Sequence, residues 1–156
     1  MEVRYDTYCG LYCGACDTML ANENGTVTSL ARSWKREPED LICYGCKSSR
    51  VAKWCEKCGI RVCAIEKHVE NCGDCTDFPC PRLQQFATDR SPHHHAVIEN
   101  SKEAKRTGIQ GWLEQQRVRW TCPQCGTRFS WYKRKCATCG ARLADCRTRR
   151  TGQSKV

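Results

Sequence analysis

Apolar positions along this chain come in short groups, and they predict short helices far more than strands. Asp17 stands as a cap before Thr18-Met19-Leu20-Ala21, a turn ended by Asn24-Gly25. Thr28-Ser29 open a second helix over residues 30–36, stopped by Pro38, with Leu30 and Trp34 one turn apart on a face that can cover a core. Residues 61–67 and 81–87 read as two further helices, the second with Leu83 and Phe86 on one side. Ser91-Pro92 pairs a cap with proline at the first helical position and predicts a helix over 92–106, closed by Gly108. Beyond it Ile109, Trp112, Leu113, Gln116 and Trp120 recur at helical spacing. Their large apolar groups need a packing surface, so residues 91–119 are expected to form a packed arm against the rest of the chain. Phe129, Trp131 and Tyr132 favour short strands, and the polar, basic residues from Arg147 onward are expected to be disordered. No stretch approaches the apolar length of a membrane span.

Cysteine changes this picture. Sixteen of 156 residues are cysteine, in two blocks over 9–80 and 122–146. Cys13/Cys16, Cys43/Cys46, Cys55/Cys58, Cys72/Cys75, Cys122/Cys125 and Cys136/Cys139 are Cys-x-x-Cys pairs, in which two thiolates on one tight turn can chelate a tetrahedral ion. A chain of 17.9 kDa built from short helices buries little apolar area, so it needs such staples. Disulfides are rejected as the staples: the spacing suits metal knuckles, and the start, MEVRYDTYCG, has no apolar segment of a secretory signal. A reducing cytoplasm is expected.

The most specific pattern is Cys122-Pro-Gln-Cys125-Gly and Cys136-Ala-Thr-Cys139-Gly, two knuckles joined by a strand-prone segment, the pattern of a zinc ribbon. Four thiolates close the coordination sphere, which makes the expected zinc structural. The N-terminal block leaves alternatives open. Cys9-x3-Cys13-x2-Cys16 has the spacing of radical S-adenosylmethionine enzymes, but Ala15 replaces their aromatic residue and the chain is too short for their barrel, about 200 residues or more. A four-iron cluster without that chemistry would use Cys9, Cys13 and Cys16 with the proline-followed Cys80. Zinc at the same cysteines is the other reading. Cys43/Cys46 with Cys72/Cys75, and Cys55/Cys58/Cys63 with an unknown fourth ligand, complete the grouping. Cys55-x2-Cys58-x4-Cys63 recurs as Cys72-x2-Cys75-x4-Cys80, a short internal echo.

Eleven N-terminal cysteines make two full sets of four and a remainder of three, for which His68, a carboxylate, water or Cys146 could supply a fourth ligand. Consecutive helical side chains diverge by about 100°, so His93, His94 and His95 cannot share one ion; at most one would be a ligand, and they read as a polar helix start and surface. No nucleophile–base set, phosphate loop or carboxylate pair stands out.

Charge adds one hint. The formal net charge is +9, and it resides beyond residue 90, where 14 Lys and Arg face 4 Asp and Glu. Trp131-Tyr-Lys-Arg-Lys135 interleaves rings with cations, as a nucleic-acid contact would. Each ion held by four thiolates leaves two net negative charges, however, so the cations can equally balance metal sites.

The residues Cys9-Gly-Leu-Tyr-Cys-Gly-Ala-Cys16, Cys43-Tyr-Gly-Cys-Lys-Ser48, Gly59-Ile-Arg-Val-Cys-Ala-Ile-Glu-Lys67 and Asn71-Cys-Gly-Asp-Cys-Thr-Asp-Phe-Pro-Cys80 resemble a family of short cysteine-rich prokaryotic proteins, frequent in anaerobes and known as a domain of unknown function. His93-His-His-Ala-Val-Ile-Glu-Asn100, Trp112-Leu-Glu-Gln-Gln116 and Ser130-Trp-Tyr132 extend the resemblance to about residue 143. It implies zinc binding in the cytoplasm and supplies no activity. His68 stands where the family often has glycine, which favours a helix-ending role there. The combined expectation is a small, metal-stabilised, mainly α protein with irregular cysteine knuckles. It has a cysteine-rich part over 1–90, a helical arm over 91–119, a zinc ribbon of short β-hairpins over 120–146 and a tail over 147–156. Its expected role is non-catalytic, toward a protein or nucleic-acid partner.

Overall fold

The computed structural model describes residues 2–148. Among them six helices form: α1 (Asp17–Glu23), α2 (Val27–Trp34), α3 (Lys53–Glu56), α4 (Gly59–Glu66), α5 (Pro81–Ala87) and α6 (Val97–Arg119). Four 3-10 turns, Cys13–Ala15, Pro38–Leu41, Cys72–Asp74 and Pro92–Ala96, lie between them. The protein is mainly helical, as the apolar pattern predicts. No strand forms among the described residues. The expected C-terminal hairpins shrink to two isolated antiparallel bridges, Thr121 with Arg128 and Lys135 with Arg142. The backbone between each bridged pair is used up in a knuckle turn, which leaves nothing to extend a ladder.

α5 has the expected bounds and buries Leu83. α2 departs from expectation. It starts at Val27 and ends on Lys35 in the left-handed region (φ 54, ψ 50), and its buried residue is Ala31. Trp34 does not cover a core; it is 42% exposed and packs on the equally open Trp54, ring centroids 6.1 Å apart. A small side chain at Ala31 is what lets so short a helix sit close on its neighbours.

The arm is α6, and Gly108 (φ 78, ψ 156) breaks it where the sequence separates two helices. It buries Val97, Ser101 and Ala104 before the break and Trp112 and Gln116 after it. Val97, Ser101 and Ala104 face the N-terminal block, with Ser101 Oγ donating to the Cys9 carbonyl at 3.3 Å and Asn100 Nδ2 to that of Gly10 at 2.8 Å. Trp112 is fully buried and meets Tyr12 edge-on, centroids 6.2 Å apart. The same cluster contains Ala15, Ala104, Trp120, Phe129 and Leu143, so one apolar core joins the first turn, the arm and the C-terminal knuckles. Two smaller clusters are built around cysteine: Cys9 with Ile60, Leu83 and Val97, and Cys43 with Met19 and Ala52.

Arg147 and Thr148, expected to begin a disordered tail, are held by the buried Asp145. Its carboxylate accepts from both backbone N–H groups at 3.0 Å and from the Thr148 hydroxyl at 2.8 Å. The rest of that tail, residues 149–156, lies outside the described residues. Among the described residues no helix is long and apolar enough to cross a membrane.

Candidate metal centres

The two C-terminal knuckles are built alike. Gly126 N–H donates to the Cys122 carbonyl at 2.9 Å and Gly140 N–H to that of Cys136 at 3.0 Å. Cys122 N–H and Cys136 N–H each close the turn at 2.8 Å, on the carbonyls of Thr127 and Ala141. Both glycines adopt φ 75, a left-handed conformation that a side chain would strain, which is why glycine follows each pair. The knuckles face each other: Cys122 Sγ lies 3.6 Å from Cys139 Sγ, and Cys125 Sγ 3.5 Å from Cys136 Sγ. All four sulfurs lie within 4.8 Å of one another, a set that could hold a metal ion. Cys122 and Cys136 are buried against the main core, and Cys125 and Cys139 are exposed.

The thiols of this group differ in acidity. Cys125 is pulled down to about 6, first by the hydroxyl of Thr127, 3.3 Å away, and then by its backbone. Cys136 is lowered by the backbone of Cys139 and Thr138. For Cys139 the Ala141 backbone pulls down, but burial and the other three cysteines push the thiol up to about 12. Four sulfurs crowded together favour a cation among them.

All but Cys46 of the eleven N-terminal cysteines are spread over two apolar clusters and one cavity. Cys13, Cys16 and Cys55 pack around Cys43, Met19 and Ala52. Cys63, Cys72, Cys75 and Cys80 line a single cavity. Cys9 and Cys58 share an apolar cluster with Cys72 and Cys80, and Cys46 is near them: burial and then Cys9 push the Cys46 thiol up to about 12, with Cys58 adding to the shift. Cys9 and Cys80 share the apolar cluster of Ile60 and Leu83, and Cys13 and Cys16 that of Met19 and Ala52. The echoed triplets are not structural repeats. Cys55, on α3, packs in the cluster of Met19; Cys58, capping α4, in the cluster of Cys9; and Cys63, on α4, lines the cavity. The 3-10 turn Cys72–Asp74 instead keeps Cys72, Cys75 and Cys80 on one cavity.

Burial raises the N-terminal thiols wherever a shift is resolved. Cys9 is pushed up to about 11, and burial followed by the charges of Cys43, Cys46, Cys16 and Cys58 pushes Cys55 up to about 12. Cys72 reaches about 12 through burial and then Cys80, Cys75 and Cys63. Thiolates crowded this way need a cation to exist as thiolates.

Polar residues that sequence reasoning passed over hold the loops in place. Asn71 is 1% exposed; it accepts from Gly73 N–H at 2.8 Å and donates to the Thr7 carbonyl at 3.3 Å, while Cys72 N–H donates to that of Tyr8 at 2.7 Å. Lys47 and Asp6 form a buried ion pair at 2.9 Å, joined by Arg4 at 3.0 Å. Burial opposes ionisation of Asp6, but the hydrogen bonds from Arg4 and Lys47 outweigh it and lower the carboxyl. At Gly45 (φ 111) a Cβ would stand 1.7 Å from the Arg4 carbonyl oxygen, so the Cys43/Cys46 turn admits only glycine there. Asn71 lies next to Cys72 and could have been suspected; the Asp6–Lys47 pairing, across 41 residues, carries no local signal.

The histidines are not placed as ligands in any of these groups. His68 ends α4 with φ 53, the helix-ending role expected of it. His93 stacks on Trp131 (4.2 Å, 13°) with Nδ1 2.6 Å from the Tyr132 hydroxyl; His94 stacks on Phe86 and lies 2.7 Å from Asp89; His95 Nε2 lies 2.8 Å from the Asp89 carbonyl. They are packing groups between α5 and the C-terminal knuckles, half-buried and not a plain polar surface. Burial, then His94, pushes the His93 ring from 6.5 to about 3, with Asp89 opposing and His95 adding. An unfolded chain takes up this proton below 6.5 while the folded one excludes it until about 3, so the stabilisation is complete above 6.5 and falls as pH drops between the two. His93→Gln is expected to flatten the loss of thermal midpoint between about pH 7 and about pH 5; a slope equal to that of the parent chain would show that His93 is not held neutral.

Trp131 and Tyr132 are thus engaged inside the protein, while Lys133, Arg134 and Lys135 are exposed. Burial raises the thiol of Cys146, the direction opposite to an activated nucleophile. All sixteen cysteines are free. The sequence profile of a family described as "protein of unknown function (DUF3795)" matches residues 5–85, the segment that contains all eleven N-terminal cysteines; the arm and the C-terminal knuckles lie beyond it. No curated protein and no solved structure matches the chain.

Proposed function

We propose, for a chain that belongs to the DUF3795 family and takes no assigned activity from it, a cytoplasmic interaction module held together by metal, with zinc in its C-terminal ribbon. One observation carries this reading: four thiols, and no other ligand type, converge within 4.8 Å. A zinc with four sulfur ligands has no open position for water or substrate, so it stiffens a fold and does no chemistry. The paired sulfur distances of 3.5 and 3.6 Å support zinc, whose bonds to sulfur of about 2.3 Å set tetrahedral sulfurs about 3.8 Å apart. A reducing compartment is where exposed thiols such as Cys125 and Cys139 persist.

A protein partner is the better supported of the two partner classes. Trp34 and Trp54 stand 42% and 44% exposed, side by side, with the Arg36 guanidinium 5.5 Å above the Trp54 ring. Tryptophan and arginine are the residue types that dominate binding energy at protein interfaces. A nucleic-acid surface at Lys133–Lys135 is weaker support, because the neighbouring rings already stack inside the protein and offer no platform for bases.

Cobalt exchange tests the metal reading. The chain loaded with cobalt in place of zinc is expected to show the intense charge-transfer and ligand-field bands of a tetrahedral all-thiolate ion, lost in Cys139→Ser. A site with oxygen or nitrogen ligands, or with exchangeable water, would overturn it.

A further inference from the structure

The N-terminal cysteines converge without reaching zinc distance. A single tetrahedral zinc needs its four sulfurs about 3.8 Å apart, and the C-terminal four meet that requirement. Among the described residues no other three ligand atoms of His, Cys, Asp or Glu lie mutually within 4.8 Å. Cys63, Cys72, Cys75 and Cys80 nevertheless line one cavity of about 40 Å³. Their side chains border one space, and no three of their sulfurs meet within 4.8 Å. A cubane cluster requires this arrangement, since four irons and four sulfides stand between its thiolates and hold them roughly 6 Å apart.

The remainder of the lining agrees. Ile60, Ala64, Val69, Phe78 and Leu83 give the cavity apolar walls, which keep water from a cluster. Lys67, Arg82 and Asp77 also stand at this cavity; Lys67 pairs with Asp77, and its Nζ lies 3.9 Å from Cys75 Sγ. A four-iron cluster with four thiolates is a net anion, so cations at its edge stabilise it. The fourth cysteine in chain order, Cys80, precedes Pro81 at the start of α5.

We propose that Cys63, Cys72, Cys75 and Cys80 hold a four-iron, four-sulfide cluster, in a site separate from the zinc of the C-terminal knuckles. This assignment does not depend on the ribbon reading, because iron reports on one site and zinc on the other.

The test uses the full chain purified without oxygen and then treated with ferrous iron and sulfide under the same conditions. Iron, acid-labile sulfide and zinc are counted per chain, with an absorption and a Mössbauer spectrum of the same sample. The expected result is a brown protein with the spectrum of a cubane cluster and about four iron and four sulfide assignable to this cavity. Cys75→Ser with Cys80→Ser is expected to lose about four iron per chain relative to the parent while its zinc content is unchanged. A Cys146→Ser chain should keep both metals. A parent chain that takes up no iron and sulfide, or holds zinc in the cavity, overturns the proposal. An iron count unchanged in the double variant also overturns it. Should the double variant lose its zinc as well and fail to fold, the parent chain's stoichiometry and Mössbauer spectrum decide.

Discussion

Cys136→Ser is expected to cost the C-terminal knuckles their metal and, with it, their fold. The thiol is 4% exposed, lies 3.5 Å from Cys125 Sγ and belongs to the apolar cluster with Trp120 and Phe129. The unit has two isolated bridges in place of a sheet, so its knuckles rely on the metal and on the apolar core they share with the arm. Structural zinc in small domains contributes on the order of 10 kcal/mol of apparent binding free energy, which is folding free energy when the site does not exist in the unfolded chain. Loss of one ligand should release about one zinc per chain. It should also expose Trp120, now 3% exposed, and shift its fluorescence to the red. The effect should reach the N-terminal block, because Trp131 N–H donates to the Ala15 carbonyl at 3.1 Å and Arg128 pairs with Glu23. Zinc content and tryptophan emission equal to those of the parent chain would remove the metal from its structural role.

Trp112→Ala is expected to have the second largest effect, a loss of about 3–5 kcal/mol, the range for deleting a buried aromatic side chain. Trp112 is fully buried and connects Tyr12 of the first turn to Trp120 and Phe129 beyond the arm. A cavity at this point cannot close by local collapse, since its walls come from three separate segments. Trp112→Phe separates packing from hydrogen bonding. The indole Nε1 is buried with no partner among the described residues, so phenylalanine surrenders volume and no hydrogen bond. Its expected cost is about 1–2 kcal/mol, well under that of alanine. Guanidinium unfolding of metal-loaded protein, read by near-ultraviolet circular dichroism, measures both. Equal losses in the two variants would mean that the indole N–H, and not the ring volume, matters at this site.

The sequence made some of this legible and hid the rest for identifiable reasons. Helix α5 and the break at Gly108 were readable because Pro81 and Gly108 act on their own backbone, whatever surrounds them. The outward turn of Trp34 was not: the helix is strongly amphipathic in sequence, but its apolar side meets the core at Ala31 and leaves Trp34 to pack on Trp54. The histidines were read as surface because their partners, Trp131, Tyr132 and Phe86, lie elsewhere in the chain.

The same division runs through the cysteines. The C-terminal group was determined by the sequence alone, because a knuckle is a local object. Its turn, its glycine and its two sulfurs lie within five consecutive residues, and only two such knuckles had to be matched. The N-terminal sets were decided by tertiary structure. Any of eleven thiols satisfies the spacing rules equally well, and the choice among them depends on how α3, α4 and the turn at Cys72–Asp74 are carried by distant groups: Asn71 on Thr7, Lys47 on Asp6, Ser101 on Cys9. Chelation by a pair is a property of four residues in a row. Which pairs face one another is a property of the packed chain.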